Sequence, residues 1–252
     1  MSFAAGPEAY DRFMGRYSTP LAPRFADFAD AGEPRRVLDV GCGPGALTAE
    51  LVRRFGAEAV AAVDPTPGFV EAAGARNPGV DVRRAEAESL PFAVGSFDAA
   101  LAQLVVHFMK DPAAGIGEMR RVTRPGGVVA ACVWDHAGGA GPLARFWAAA
   151  RELDADVADE SQLPGAREGD LERLLREAGL GGVEERLLTV EVGHESFEEW
   201  WEPFTLGIGP AGAYVQGLTE EARDRLRERC RALHPEAPFA VSASAWAARG
   251  VV

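Results

Sequence analysis

The chain has 252 residues, 47% of them hydrophobic and 25% charged, the balance of a globular fold with room for one large domain or one domain with an insertion. A formal net charge of −12 excludes the basic footprint with which a nucleic-acid surface neutralises phosphates, and it favours a small-molecule partner. No apolar run approaches the roughly 18–20 residues of a membrane span, and the opening MSFAAGPEAYDRF lacks the basic-then-apolar order of a signal peptide, so a cytoplasmic location is expected.

Cys42, Cys132 and Cys230 are widely spaced and odd in number, which implies free thiols in a reducing compartment. No C-x-x-C or H-x-x-x-H pair points to a metal, so none is expected.

Residues 7–28 mix aromatics with arginine and read as helix in pieces, broken at Pro20 and Pro23. Tyr10, Phe13 and Tyr17 lie three and four apart. They form the apolar face of an ordinary packing helix; the other reading turns Tyr10, Arg16 and Tyr17 to a ligand.

Residues 37–48 read VLDVGCGPGALT. An apolar strand (Val37, Leu38, Val40) runs into Gly41, Gly43 and Gly45, and Leu47, Leu51, Val52 and Phe55 then recur at helical spacing. A strand, a glycine turn and a helix in that order let a ligand approach bare backbone beside unpaired helix N–H groups, where nucleotide-like cofactors sit in parallel α/β sheets. Dinucleotide folds use a similar turn, but two features differ here. The spacing is G-x-G-x-G, and Asp39 stands two residues before the first glycine, where a carboxylate repels pyrophosphate and suits a cation.

A second strand at 59–63 ends in Asp64, about twenty residues after the turn. At that interval an acid accepts hydrogen bonds from ribose hydroxyls; the other reading is a helix N-cap aided by Thr66. Residues 80–84 form a third strand, followed by AEAESLPF at 85–92. A fourth strand at 97–102 leads to Gln103 and His107, at the carboxyl edge where open α/β sheets bind ligands. The ordinary pKa of His107 suits a general base near neutral pH; the plainer reading is a solvent-facing turn residue. Asp111-Pro112 opens a helix that stops at Pro125-Gly126-Gly127, and 128–134 is a fifth strand ending in Trp134, which either lines a substrate site or packs in the core.

The glycine segment resembles motif I of the class I S-adenosylmethionine-dependent methyltransferases, close to the type 11 and ubiquinone/menaquinone-biosynthesis-like members. The 85–92 stretch resembles that family's G-D-A-x-x-L-P-F, with Ala85 for the usual Gly and Glu86 for the usual Asp, and Arg121 to Gly127 resembles its R-x-x-x-P-G-G. The resemblance covers about 36–134. It implies an α/β fold, a doubly wound Rossmann-like sheet of about seven strands with the last antiparallel, and S-adenosylmethionine as cofactor. Tyr17, Asp39, Gly41, Gly43, Gly45, Asp64, Pro65, Glu86, Ala87 and Gln103 would then bind it, with His107 as catalytic base. Glu86 is alternatively part of an exposed acidic loop. Residues 1–34 would be a helical cover and 35–252 the methyltransferase domain.

Beyond residue 134 only topology guides the reading. A glycine-rich linker (135–141), helices at 142–153 and 170–175, the latter capped by Asp170, and a strand at 183–192 precede 196–235, expected as a lid insertion. Trp200, Trp201 and Phe204 form either the lid's own core or an apolar acceptor site. A final strand lies at 239–248. The implied activity is methyl transfer to a small molecule, at oxygen or carbon in preference to nitrogen. A nicotinamide-dependent oxidoreductase and a non-catalytic S-adenosylmethionine-binding protein are the alternatives.

Overall fold

The computed structural model describes residues 6–234 and 236–252. The ends of the expected 1–34 cover and 196–235 insertion, at 1–5 and 235, lie outside them. The helical elements are α1 (Gly6–Tyr10), joined by a π-helical turn, Asp11–Gly15, to α2 (Arg16–Ala29), then α3 (Ala46–Phe55), α4 (Pro67–Arg76) and α5 (Pro112–Val122). The later ones are α6 (Ala144–Leu153), α7 (Asp170–Glu177), α8 (Phe197–Trp201), α9 (Gly209–Gly217) and α10 (Glu220–Ala232). The strands are β1 (Val37–Val40), β2 (Val60–Asp64), β3 (Asp81–Arg84), β4 (Phe97–Gln103), β5 (Thr123–Trp134), β6 (Gly181–His194) and β7 (Phe239–Val251).

They form one sheet in the order β3-β2-β1-β4-β5-β7-β6. The first five strands pair parallel, while β7 runs antiparallel to both β5 and β6. The fold class is the expected one. β1, β2 and the inner part of β4 are apolar and buried on both sides, as a covered parallel sheet requires. The direction of the chain reverses between β1→β2→β3 and β1→β4→β5, which opens a crevice at the carboxyl ends of β1 and β4.

One reading needs correction. Pro20 and Pro23 do not break the amino-terminal helix; both lie inside α2. Each removes one backbone N–H, from the bonds to the carbonyls of Arg16 and Thr19, and both of those residues are at least part-exposed, so the two lost bonds fall where solvent reaches. Against that cost, Leu21, Phe25, Phe28 and their alanine neighbours are buried. Each large apolar side chain so placed contributes roughly 1.5–3 kcal/mol. α2 crosses β4, β5, β6 and β7 on the face it shares with α3, so it is a layer of the fold. α1, which lies on α4, and the π-helical turn are at the crevice edge, and α2 reaches it at Ser18.

Two further differences are local. β5 begins at Thr123, before the Pro-Gly-Gly, because Gly126 N–H and Val252 N–H pair with the Val252 and Gly127 carbonyls. A side chain at Gly127 would stand 2.5 Å from the Asp98 carbonyl oxygen, so only glycine fits. Asp170 does not cap α7; Gly169 is the cap residue, and the distant Glu185 carboxylate accepts the N–H of Gly169 (2.6 Å) and Glu172 (3.2 Å).

Because α2 is part of the core, Phe25→Ala should cost about 3–5 kcal/mol of stability, read as a lowered midpoint in chemical denaturation. A detachable cover helix would instead leave the midpoint almost unmoved.

Candidate active site

At the end of β1 the chain turns through Gly41, Gly43 and Gly45, all with positive φ (71°, 53° and 100°). A side chain on Gly41 would meet Val105 at 2.3 Å, so this glycine lets the turn lie against the end of β4. Gly43 faces open space instead, and its bare backbone borders a cleft of about 460 Å³. Asp39 is buried beneath the turn. Its Oδ2 accepts a 2.6 Å hydrogen bond from Thr48 Oγ1 on α3, and its Oδ1 has no partner. Burial pushes its carboxyl up to about 7, against the lowering pull of the Thr48 bond and with a further push from Asp64.

Asp64 ends β2 across the cleft. Its Oδ2 accepts from Gly43 N–H (2.9 Å) and its Oδ1 from Thr66 N–H (2.8 Å), so it fastens the glycine turn to the next βα loop and is not the N-cap of α4. Each oxygen keeps a lone pair for a further donor. Burial raises its pKa despite those bonds. Pro65, Glu86, Ala87 and Gln103 complete the wall. Glu86 is half-exposed and pairs with Lys110 Nζ at 3.1 Å. Gln103 donates through Nε2 to the Ser18 carbonyl on α2 (3.0 Å), which leaves its buried Oε1 without a partner. The cleft presents Asp39, Asp64, Glu86 and Glu88 against one lysine, Lys110. Its field and its two unmet buried acceptors suit a cationic ligand with hydrogen-bond donors, and they disfavour a pyrophosphate.

His107 stands where the cleft meets a second, smaller chamber. It is buried, not solvent-facing, and its Nδ1 has no partner. Burial, with a smaller push from His136, lowers its pKa well below the usual value, so the ring is neutral at pH 7. Tyr10, Leu104 and Phe108 share the junction with it.

The sequence profile of a family described as "Methyltransferase domain" matches residues 38–131, the stretch that holds the glycine turn, Asp64 and His107. Residues 38–131 are thus similar to a methyltransferase domain. An uncharacterized methyltransferase of Mycobacterium tuberculosis is 41% identical over 127 residues, covering 50% of this chain and 49% of that protein. The malonyl-[acyl-carrier protein] O-methyltransferase of Hahella chejuensis is 34% identical over 128 residues, covering 50% of this chain and 46% of that one. The chain thus spans about half the length of the curated relatives it matches. Among solved structures, phosphoethanolamine N-methyltransferase 2 of Haemonchus contortus in complex with S-adenosyl-L-methionine superposes with a TM-score of 0.58 at 16% identity, over 100% of this chain and 60% of that one, a likeness of fold.

Within the matched stretch, the structure brings Asp39, Gly41, Gly43, Asp64, Pro65, Glu86, Ala87, Gln103 and His107 to one cleft. Gly45 sits behind the turn, where a side chain would strike Asn77 at 2.8 Å. Tyr17 is the exception. Its buried hydroxyl shares a 3.0 Å hydrogen bond with His194 Nε2 and its ring packs edge-on to Trp134, so it belongs to the core; Tyr10, one helical stretch earlier, lines the cleft. Trp200, Trp201 and Phe204 pack with Phe146 and Phe197 and reach neither cavity.

Among the chamber residues that sequence reasoning missed are His136, Glu160 and Ile208. For His136 a signal was present, since it directly follows the carboxyl end of β5, where ligands gather. Glu160 lay in a polar stretch that reads as surface loop.

The folded state holds the Asp39 proton to about pH 7, whereas an unfolded aspartate loses it near 3.9. Between those values the native state binds more protons, so this group lowers stability as pH rises and its penalty is complete above pH 7. Asp39→Asn should therefore stabilise the ligand-free protein more at pH 8 than at pH 5, by at most about 1.4 kcal/mol for each pH unit crossed below 7. Paired melting curves at the two pH values check this; an equal shift at both would show that Asp39 is ionised throughout.

Proposed function

We propose that this chain transfers a methyl group from S-adenosylmethionine to a small-molecule acceptor, at oxygen or carbon in preference to nitrogen. The observation that carries the reading is the pair of buried, unpartnered acceptors, Asp39 Oδ1 and Gln103 Oε1, in a cleft lined by four carboxylates and one lysine. S-adenosylmethionine has an ammonium and a sulfonium and no phosphate. Asp39 and Gln103 would hold its amino-acid end, Gly41 and Gly43 would let it lie on bare backbone, and Gly45 would support the turn. The free lone pairs of Asp64 would take the two ribose hydroxyls, with Pro65 beside the sugar and Glu86 and Ala87 at the adenine. Bound there, S-adenosylmethionine supplies a sulfonium methyl that leaves with its C–S electron pair remaining on sulfur as the bond to the acceptor forms.

The protein's share is placement, which removes on the order of 7–11 kcal/mol of barrier when the reacting atoms are held in line. A hydroxyl acceptor must also lose a proton, and neutral, buried His107, with Nδ1 unpartnered at the junction, is positioned to take it. In this reading α1 and the turn after it cover the cleft, the segment from α8 to α10 acts as a lid, and the chain works in the cytoplasm.

Calorimetry tests the cofactor. S-adenosylhomocysteine should bind saturably and NAD should not. Asp64→Ala should weaken S-adenosylhomocysteine at least tenfold, the loss of one to two charged hydrogen bonds of about 1.5–3 kcal/mol each. Saturable NAD binding without S-adenosylhomocysteine binding would reverse the assignment to an oxidoreductase.

His107→Ala should lower turnover at least tenfold and change cofactor affinity less than twofold. Undiminished turnover would remove His107 from proton transfer. Tight cofactor binding with no methylated product across hydroxyl, carbon and amine acceptors, read by product mass, would leave a binding protein.

A further inference from the structure

The chamber beyond His107 is walled by six segments that are far apart in sequence. Tyr10, Phe13 and Met14 come from the amino-terminal helices, and Leu104, His107 and Phe108 follow β4. Trp134 ends β5 and His136 lies in the turn after it, Leu143 precedes α6, Glu160 lies ahead of α7, and Ile208 to Ala211 open α9. Four aromatic side chains, Tyr10, Phe13, Phe108 and Trp134, and the apolar Met14, Leu104, Leu143 and Ile208 form most of the surface. Its free volume of about 40 Å³ excludes a polycycle, and it opens onto the larger cleft at Tyr10, Leu104, His107 and Phe108.

The polar groups are few and unmatched. His107 Nδ1, His136 Nε2 and Trp134 Nε1 are each shut off from solvent and have no partner. Buried polar atoms are rarely left so, and here the missing partner is a ligand's. Burial holds the His136 pKa at about 4, so like His107 the ring is neutral near pH 7. A neutral imidazole offers one donor and one acceptor. The two rings are neighbours, with centres 5.9 Å apart and planes at 62°, so both border the same part of the chamber. Glu160 is buried too and accepts from Trp147 Nε1 at 3.0 Å through Oε2.

Charge narrows the occupant further. No lysine or arginine lines the chamber and the acid Glu160 does, so the protein itself offers an anionic acceptor no counter-ion. A protonated amine would enter beside a sulfonium and has no lone pair with which to attack. A neutral hydroxyl pays neither cost, and the aromatic walls favour a flat ring.

Resting on the methyl-transfer reading for the word acceptor, we propose that this chamber is the acceptor subsite and that its occupant is a single uncharged aromatic ring bearing a hydroxyl, which lies between His107 and His136. His136 and Glu160 are then specificity-determining residues for that hydroxyl and its ring substituents.

The test is calorimetric titration with phenol and catechol, then with benzoate and benzylamine as charged versions of the same ring, each with and without saturating S-adenosylhomocysteine. Phenol or catechol should bind at least tenfold more tightly than benzoate and benzylamine. His136→Ala should weaken catechol at least fivefold and Glu160→Gln should change the catechol-to-phenol preference, both with S-adenosylhomocysteine affinity unchanged as the check on folding. Binding of benzoate or benzylamine as tight as phenol, no binding of any ring, or catechol affinity indifferent to both substitutions would overturn the proposal. Failure of S-adenosylhomocysteine to bind would strike the methyl-transfer reading instead, and the titrations without it would still report on the chamber.

Discussion

The structure depends on keeping a carboxylate dry at the head of its first βα unit. Asp39 sits in the middle strand of the parallel sheet with one oxygen held by Thr48 and the other unmet. The Thr48 bond crosses the glycine turn and joins the strand to α3, so the turn is closed from beneath by the acid that its ligand would use from above. Asp64 closes it from the side through Gly43 N–H. Two buried acids therefore fix three glycines, and neither is fully satisfied by the protein. Burying polar capacity that way is costly in the free protein, and the cost is recovered when a cation or hydroxyl supplies the missing partner.

That arrangement explains why this part of the molecule was readable in the sequence. Alternate glycines, an acid two residues ahead and another acid at the end of the next strand are local signals, because the contacts they make lie within one βαβ unit. The departures come from tertiary contact. Pro20 and Pro23 speak locally against a helix, yet the sheet face beneath α2 outweighs them. Tyr17 falls on the expected helical face but turns to His194, 177 residues away, and nothing in the amino-terminal segment encodes that partner. Glu160 reads as a solvated acid until Trp147 Nε1 is laid against it.

The same division separates the two cavities. Every residue lining the cofactor-sized cleft lies within the matched stretch 38–131, apart from Tyr10 and Ser18. In the chamber only Leu104, His107 and Phe108 do so, and the rest comes from the amino-terminal helices and from everything after β5. The portion shared with curated relatives is also about half of this chain. The matched stretch thus lines the cleft, and the segments outside it line most of the chamber.

His107 belongs to both, and this gives the junction its chemical meaning. It is carried by the matched stretch, on the short helical turn after β4, yet its neighbour His136 is set by the tight turn beyond β5, where Asp135 Oδ1 accepts from Gly138 N–H at 2.8 Å and a side chain on Gly138 would strike that carboxylate. Changing residues 135–141 would therefore alter the neighbour of His107 without touching His107 or the other residues that line the cleft. The two histidines therefore meet where the matched stretch adjoins the segments outside it, so the surroundings of His107 depend on parts of the chain that do not line the cleft.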